Sequence, residues 1–426
     1  MGTHRVNLAV IIKNPSNDEE FLLIKQTPPP KLNDPEYDSY QDSDLWDLPL
    51  TLLTPLDSPL SQHISVGAED SSLLENFGLL NQFDLKLALD QEYPPGVKLI
   101  PMGSRTAKPF HTTNLVVFFP GTSYDGYDGD SFVTCGDVLI VDPGCKSTLH
   151  KELEQIIAAL PQKLIVFVTH HHHDHVDGLS IVQKCKPDAV LLAHESTMRR
   201  IQKDDWSLDY VPVLGSEEIC IGGQRLRIIS APGHTDGHMS LLHVSTHSLI
   251  VGDHCVGQGS ALLDITSGGN MSDYFRTTYK FMDLSPHVLI PMHGRVNMWP
   301  KHMLCGYLKN RRNRESTILK SIKGGGKTLF DIVAYTYADV DRSLWLPAAS
   351  NVRLHVDHLA QQDKLPKDFS LENFNSSLAE FAGNVAKIAL DLKLHSALPC
   401  IGIFPTKVSV DLQATFPVPM GLGIFM

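Results

Sequence analysis

The run Thr169-His170-His171-His172-His173-Asp174-His175-Val176-Asp177-Gly178 constrains this chain more than any other stretch. It follows Leu164 to Val168, an apolar, β-branched run that reads as a buried parallel strand, covered on both faces. The histidines therefore stand where a strand ends and a loop begins. His170 and His172 lie two apart, so in extended backbone they point the same way, while Asp174 and His175 follow at the start of the next segment. Neutral imidazole and carboxylate are the ligands that zinc takes in catalytic sites, and the spacing suits two metal ions.

A histidine-rich tract can also be a solvated surface feature or a compositional accident. Here later segments supply further ligands at equivalent places. His234 stands in Ala231-Pro-Gly-His-Thr-Asp-Gly-His238, just after the alternating Leu226 to Ser230. Asp253 ends the apolar run Leu249 to Gly252, His293 ends Val288 to Met292, and Asp142 closes Val138 to Val141. Every one of these polar groups lies at the carboxyl end of an apolar strand, where open α/β sheets place their sites.

The set Asp142, His170, His172, Asp174, His175, His234, Asp253 and His293 resembles, motif by motif and in order, the metallo-β-lactamase superfamily of binuclear hydrolases. That resemblance implies an α/β fold, the αββα sandwich, over about residues 100–300. It implies one ion among His170, His172 and His234, a second among Asp174, His175 and His293, and Asp253 bridging both. Asp142 is then a carboxylate that orients ligands without binding metal. The expected cofactor is two Zn²⁺ per chain, since the di-iron members carry Glu where His172 stands; manganese is the alternative. A hydroxide held between the ions is the expected nucleophile, with Asp174 and His238 as catalytic residues, His238 either contacting a leaving group or anchoring a ligand loop. His171 and His173 alternate with the ligands and are expected to point away.

With 426 residues the chain is too long for one core, and two or three domains are expected. The 42% hydrophobic and 20% charged content is that of a globular protein, and no apolar run approaches the roughly 20 residues of a membrane span. No secretory core or myristoylation signal opens the chain. Seven scattered cysteines without a CxxC pair suit a reducing compartment, so a cytoplasmic location is expected. The net charge of -12 argues against nonspecific nucleic-acid binding by the whole surface. Residues 1–110 carry 16 Asp and Glu against 8 Lys and Arg, whereas 301–327 carry eight Lys and Arg against Glu315 alone.

In the acidic front, Val6 to Ile12 and Phe21 to Lys25 read as a hairpin around Asn14-Pro-Ser-Asn17, followed by an acidic loop to Trp46-Asp-Leu-Pro49. This resembles the opening of a Nudix domain whose catalytic helix is missing, and an inactive, degenerate Nudix-like α+β domain is expected over 1–95. Behind the metal domain, Met303 to Ile322, Ile332 to Tyr337 and Pro347 to Leu359 read as three helices, the second opened by the capping-box-like Thr328-Leu-Phe-Asp331. Over 301–368 they resemble the winged helix of the β-lactamase-like protein 2 branch, as do Tyr307 to Arg311 and Asn313-Arg314-Glu315. Animal members of that branch are endoribonucleases that cleave single-stranded RNA. The resemblance thus implies a metal-dependent phosphodiesterase with single-stranded RNA as partner, contacted by Arg311, Arg312 and Arg314. The alternative is a thioester hydrolase of the glyoxalase II kind acting on a small ester or thioester; a third reading is a binding protein whose metal is structural. Residues 369–426 are expected to form a helix, Leu371 to His395, and an irregular apolar tail without a membrane role.

Overall fold

The computed structural model describes residues 96–377 and Phe381, apart from 107–109, 121–131, 258–259 and 264; before residue 96 it describes only the backbone of short strands. The chain divides into two units, Met1–Asp90 and Gln91–Met426. In the first unit Lys13–Asn14 pairs with Asn17–Phe21, as a hairpin there would, while Val6–Ala9 pairs with Leu50–Leu53 and Ile24–Lys25 with Trp46–Asp47. The rest of the Nudix-like reading, the loop at 121–130 and the tail beyond 381 lie outside the described residues.

The second unit is built around short apolar runs, of which Val138–Val141, Leu164–Phe167, Met239–His243, Ser248–Gly252 and Val288–Pro291 are buried end to end. One sheet has seven strands in the order β8-β7-β6-β5-β3-β2-β1: β1 is Gln91–Glu92, β2 Val97–Gly103, β3 Thr112–Phe118, β5 Val138–Val141, β6 Leu164–Phe167, β7 Val190–Ala193 and β8 Tyr210–Pro212. The other has six in the order β4-β9-β10-β11-β12-β13: Thr134–Gly136, Glu218–Ile221, Gln224–Ser230, Met239–His243, Ser248–Gly252 and Val288–Pro291. Strands β5 to β8 run parallel, and β12 and β13 are parallel. The sheets meet face to face through a shared layer that includes Val116, Phe118, Val141, Phe167, Ile228, Leu241, Ile250 and Ile290. Removing such a fully buried aliphatic side chain down to alanine costs about 2–5 kcal/mol.

Helices α1 (His150–Ala159) and α2 (Leu179–Cys185) cover the outer face of the seven-stranded sheet through Leu153, Ile157, Leu179 and Val182. On the other side lies α3 (Met271–Leu284), capped by Asn270, whose side chain accepts from Asp273 N. The result is the expected αββα sandwich. Sequence patterning locates core strands such as Val138–Val141 and Leu164–Phe167 closely, because burial throughout makes each run uniformly apolar.

Beyond it, α4 (Pro300–Lys323), α5 (Leu329–Thr336), α6 (Trp345–Gln361) and the short α7 (Leu371–Ser376) enclose a separate core of Ile318, Ile322, Ile332, Val333, Trp345, Val352, Val356 and Phe374. The capping box at Thr328 and Asp331 is present in full. Of the helix expected over 371–395, the first turns are described and form. No helix among the described residues is long and apolar enough to cross a membrane.

Glu315 on α4 is buried against His355 and His358 of α6, with its Oε1 3.4 Å and 2.6 Å from their Nδ1 atoms. Burial opposes the Glu315 charge, but the two imidazoles outweigh it and push the carboxyl down to about 2. Burial pushes His355 down to about 4. Both groups therefore bind protons more weakly folded than unfolded. As pH falls from 6.5 the unfolded chain gains a proton at His355 first, and Glu315 adds its own preference below 4.5. Stability contributed here is complete above pH 6.5 and lost progressively towards acid. Every tenfold weakening of proton binding on folding is worth about 1.4 kcal/mol. Other buried histidines titrate too, so the test is the difference in urea midpoint between the parent and a His355→Gln variant, followed by circular dichroism. The parent's advantage should be level between pH 7 and 8 and shrink between 6.5 and 4, and an advantage that grows over that acidic window contradicts the account.

Candidate metal centre

The carboxyl ends of β5, β6, β10, β12 and β13 open at one edge of the sandwich and deliver Asp142, His170, His234, Asp253 and His293 there. His172 leads into a single helical turn, His173–Val176, which turns Asp174 and His175 inward and leaves His173 exposed. The turn is seated on the Asp142-Pro143-Gly144 loop so closely that a Cβ on Gly144 would lie 1.7 Å from Asp174 O. Only glycine fits under that carbonyl.

Two nests result. His170 Nε2, His172 Nδ1 and His234 Nε2 stand 2.9, 3.3 and 3.1 Å from one another. Ligands on a tetrahedral zinc, about 2.0–2.1 Å from it, lie about 3.3 Å apart, so these three nitrogens suit one ion. In the second nest Asp174 Oδ2 is 3.7 Å from His175 Nε2 and 3.3 Å from His293 Nε2. Asp253 stands between: its Oδ1 is 3.5 Å from His175 Nε2 and 3.4 Å from His293 Nε2, while its Oδ2 is 3.9 Å from His234 Nε2. His175 Nε2, His293 Nε2 and Asp253 Oδ1 are buried and make no hydrogen bond. Three convergent polar atoms left bare at that depth are costly in an apolar setting and suited to a cation.

Each ligand's other ring nitrogen shows which nitrogen faces inward. His234 Nδ1 donates to Leu262 O at 2.7 Å and His293 Nδ1 to Thr112 O at 2.9 Å. A carbonyl only accepts, so the proton is on Nδ1 and the Nε2 lone pair points into the cluster. His175 Nδ1 donates to Asp142 Oδ2 at 2.8 Å. Thr169 Oγ1 donates to the same oxygen at 2.6 Å and is thereby left to accept from His170 Nδ1 at 3.0 Å. His172 is reversed: its Nδ1 faces the nest and its Nε2 lies 3.3 Å from Ser267 Oγ. Asp142 comes within ligand reach of His170 and His175 as well, but its other oxygen takes Thr169 N at 2.7 Å. It orients, as expected, and its carboxylate is spent on doing so.

Charge divides the two nests. Burial and neighbouring imidazoles hold His170 and His172 well below the ordinary histidine range, and burial lowers His234. All three are neutral at pH 7, the form that binds metal. At His175 and His293 burial acts downward too, but the Asp253 and Asp174 carboxylates outweigh it, raising His175 and pushing His293 up to about 10. Those imidazoles in turn hold both carboxyls ionised, against the upward effect of burial.

Two expected roles do not fit. His238 is fully buried and pushed down to about 3 by burial; its Nε2 accepts from Asp253 N at 3.1 Å. It holds the backbone of Asp253 and, with no exposed surface, is placed to anchor that loop rather than to act as a catalytic acid. Gly252 makes that approach possible, since a Cβ there would lie 2.3 Å from His238 Nε2. Arg311 is also buried, donating to Asn351 Oδ1 at 3.2 Å and to Ala261 O, so its guanidinium is committed to partners within the protein. Of its neighbours, Arg312 donates to Tyr279 Oη, and Arg314, half-buried, donates to Thr336 O at 2.7 Å and lies 4.0 Å over the Tyr337 ring.

Asn114 was not legible from sequence. Its side chain donates to Pro291 O and Gly294 O, both at 2.9 Å, clamping the His293 loop to the opposite sheet. A buried asparagine inside a β-branched run is the signal that marks it. His173 pairs with Asp177 on the surface at 3.1 Å, and His254 stacks on Tyr274 behind the site with ring centroids 4.3 Å apart.

Residues 128–293 match the family model of the metallo-beta-lactamase superfamily, and 328–368 that of the beta-lactamase associated winged helix domain. The chain is similar to a beta-lactamase-like protein 2 homolog of Drosophila melanogaster, 26% identical over 212 residues, 47% of this chain and 69% of that one. The protein of the same name in Caenorhabditis elegans is 28% identical over 241 residues, 55% and 77% of the two chains. A hydroxyacylglutathione hydrolase of Gloeobacter violaceus is 26% identical over 163 residues, 38% of this chain and 57% of that one. Among solved structures, a metallo-beta-lactamase family protein from Thermus thermophilus shares the fold with a TM-score of 0.50 at 18% identity, over 63% of this chain and 94% of that one. A beta-lactamase domain protein from Burkholderia ambifaria does so at 0.51 and 18%, over 67% and 93%.

Proposed function

We propose that this chain, whose residues 128–293 match the metallo-beta-lactamase superfamily model and 328–368 the beta-lactamase associated winged helix model, is a zinc-dependent endoribonuclease of single-stranded RNA. The observation that carries the reading is a cleft where the winged helix meets the metal domain. It has a volume of about 110 Å³ and is lined by Asn310, Arg314, Tyr337, Ser260 and Leu262. Leu262 is the residue whose carbonyl holds His234. A guanidinium paired with an aromatic ring beside the ligand loop suits a polyanion with stackable bases.

His170, His172 and His234 would hold one ion and Asp174, His175 and His293 the other, with one Asp253 oxygen directed to each. Bound there, two divalent cations supply hydroxide at neutral pH and polarise the scissile phosphoryl group. Asp174, kept ionised by His175 and His293, accepts a hydrogen bond from the attacking water and aims it. The bond from phosphorus to the departing oxygen breaks as the bond to the hydroxide oxygen forms, and the departing oxygen takes its proton from solvent. Asp253, fixed through its backbone by His238, keeps the two nests in register.

The resemblance to a hydroxyacylglutathione hydrolase favours a second reading, thioester hydrolysis. Metal-loaded protein should cleave a uridine-rich oligoribonucleotide and leave S-lactoylglutathione almost untouched; the reverse preference replaces the first reading by the second. Arg314→Ala should weaken oligoribonucleotide binding and lower the salt slope by about 0.7, the share of one phosphate contact on a single strand. Hydrolysis of bis(p-nitrophenyl) phosphate should stay unchanged in that variant. An unaltered RNA affinity would remove Arg314 from the account.

A further inference from the structure

The first nest is braced from the winged helix through one segment, whose described residues here are Ala261–Leu263 and Ile265–Ser267. On its inner side, Leu262 O accepts from His234 Nδ1 at 2.7 Å and Ser267 Oγ lies 3.3 Å from His172 Nε2. Two of the three ligands of that nest therefore take their orientation from this segment. On its outer side the contacts run to α4 and α6. Arg311 donates to Ala261 O and Asn351 Oδ1 accepts from Leu263 N at 3.4 Å. Ser350 Oγ donates to Leu263 O at 2.9 Å and accepts from Ile265 N at 3.2 Å.

Packing and hydrogen bonds hold the segment together: Ala261 and Leu263 are buried, while Leu262 also lines a cleft with Ser260, Arg311, Arg314 and Asn351. Arg311 acts twice. Its guanidinium also lies 4.8 Å over the ring of Tyr274, whose backbone fits under Gly233, the residue before His234. The second nest takes its ring orientations within the sandwich, His175 from Asp142 and His293 from Thr112 O, and α4 reaches it by a different contact: Tyr307 Oη bonds the N–H and the carbonyl of Val256, whose neighbour Gly257 donates to His293 O.

We propose that Arg311, Asn351 and Ser350 are positioning residues for the three-histidine site, through which docking of the winged helix sets the geometry of His234 and His172. The proposal rests on the two-cation reading of the centre. It predicts an asymmetry that general destabilisation does not produce: disturbing the brace loosens the first site and spares the second.

The experiment is a stepwise titration of the full chain with Co²⁺, following the visible spectrum, and with Zn²⁺ against a competing chelator. Arg311→Met keeps the stem and removes both anchors; Arg311→Lys restores a single donor; Ser350→Ala removes only the bonds to Leu263 and Ile265. Arg311→Met should weaken one of the two binding steps roughly 10- to 100-fold, the usual effect of losing a partner that orients a metal ligand, and leave the other within about twofold. Arg311→Lys should recover part of the loss. Ser350→Ala should show the same asymmetry in milder form, which keeps the test open if Arg311→Met fails to fold. Equal weakening of both steps, or no weakening in Ser350→Ala and Arg311→Lys, overturns the brace. Failure of the unaltered chain to bind two ions overturns the two-cation reading instead.

Discussion

Asp253→Ala should lower hydrolysis of any substrate the protein accepts by roughly 10³-fold or more, a barrier increase of about 4 kcal/mol. One carboxylate faces both nests, with Oδ1 3.4 Å from His293 Nε2 and Oδ2 3.9 Å from His234 Nε2. Its removal leaves His175 and His293 with Asp174 alone and takes from the cluster the anion that spans it. Bound metal should fall from two ions towards one, because the three neutral histidines of the first nest keep their spacing. The fold should survive, since His238 holds Asp253 through the backbone N–H, a bond that alanine retains. A variant that keeps a tenth of its activity would show that the bridge is dispensable.

The second large effect is expected at Asp142, which touches no substrate. Its two oxygens accept from Thr169 N, Thr169 Oγ1 and His175 Nδ1, and through Thr169 it fixes the tautomer of His170. Asp142→Asn tests this with almost no change of shape, and its backbone φ of 49° is one that asparagine also adopts. The amide has one acceptor oxygen. Placed at Oδ1 it keeps Thr169 N and turns an NH₂ towards two donors; placed at Oδ2 it serves those donors and turns the NH₂ on Thr169 N–H. Either way buried donors oppose each other, at a cost of about 1–3 kcal/mol for each bond lost. Metal affinity should drop 10- to 100-fold and activity with it. Thermal unfolding and chelator competition measure both; a variant matching the parent in each would show that the ligands are oriented some other way.

What the sequence discloses and what it hides follow from how each group is held. The core strands are legible because they are apolar, and His170, His234, Asp253 and His293 because each follows a strand by one to four residues, while His172, Asp174 and His175 belong to the same histidine-rich run as His170. His171 and His173 alternate with ligands, and His173 indeed turns to the surface. The orienting partners are hidden: Leu262 and Thr112 act through backbone carbonyls, which any residue carries. Asn114 lies 177 residues from the carbonyl of Pro291 that it clamps.

Arg311 is the instructive failure. In a segment with eight Lys and Arg it reads as part of a solvated basic face. Yet Leu304, Leu308, Arg311, Glu315, Ile318 and Ile322, all buried, recur at intervals of three or four. That stripe places the arginine and Glu315 on the docked side of α4, where Tyr274, Asn351, His355 and His358 receive them. Composition of the segment and position on the helix point in opposite directions, and position decides.

All of this depends on seven side chains caging a pair of divalent cations. Diffraction from crystals of the zinc-loaded protein, collected on either side of the zinc absorption edge, tests it most directly. The account predicts two anomalous peaks per chain, one among His170, His172 and His234, the other among Asp174, His175 and His293, with Asp253 touching both. No peak at this edge of the sandwich, or zinc bound only elsewhere on the chain, would contradict it.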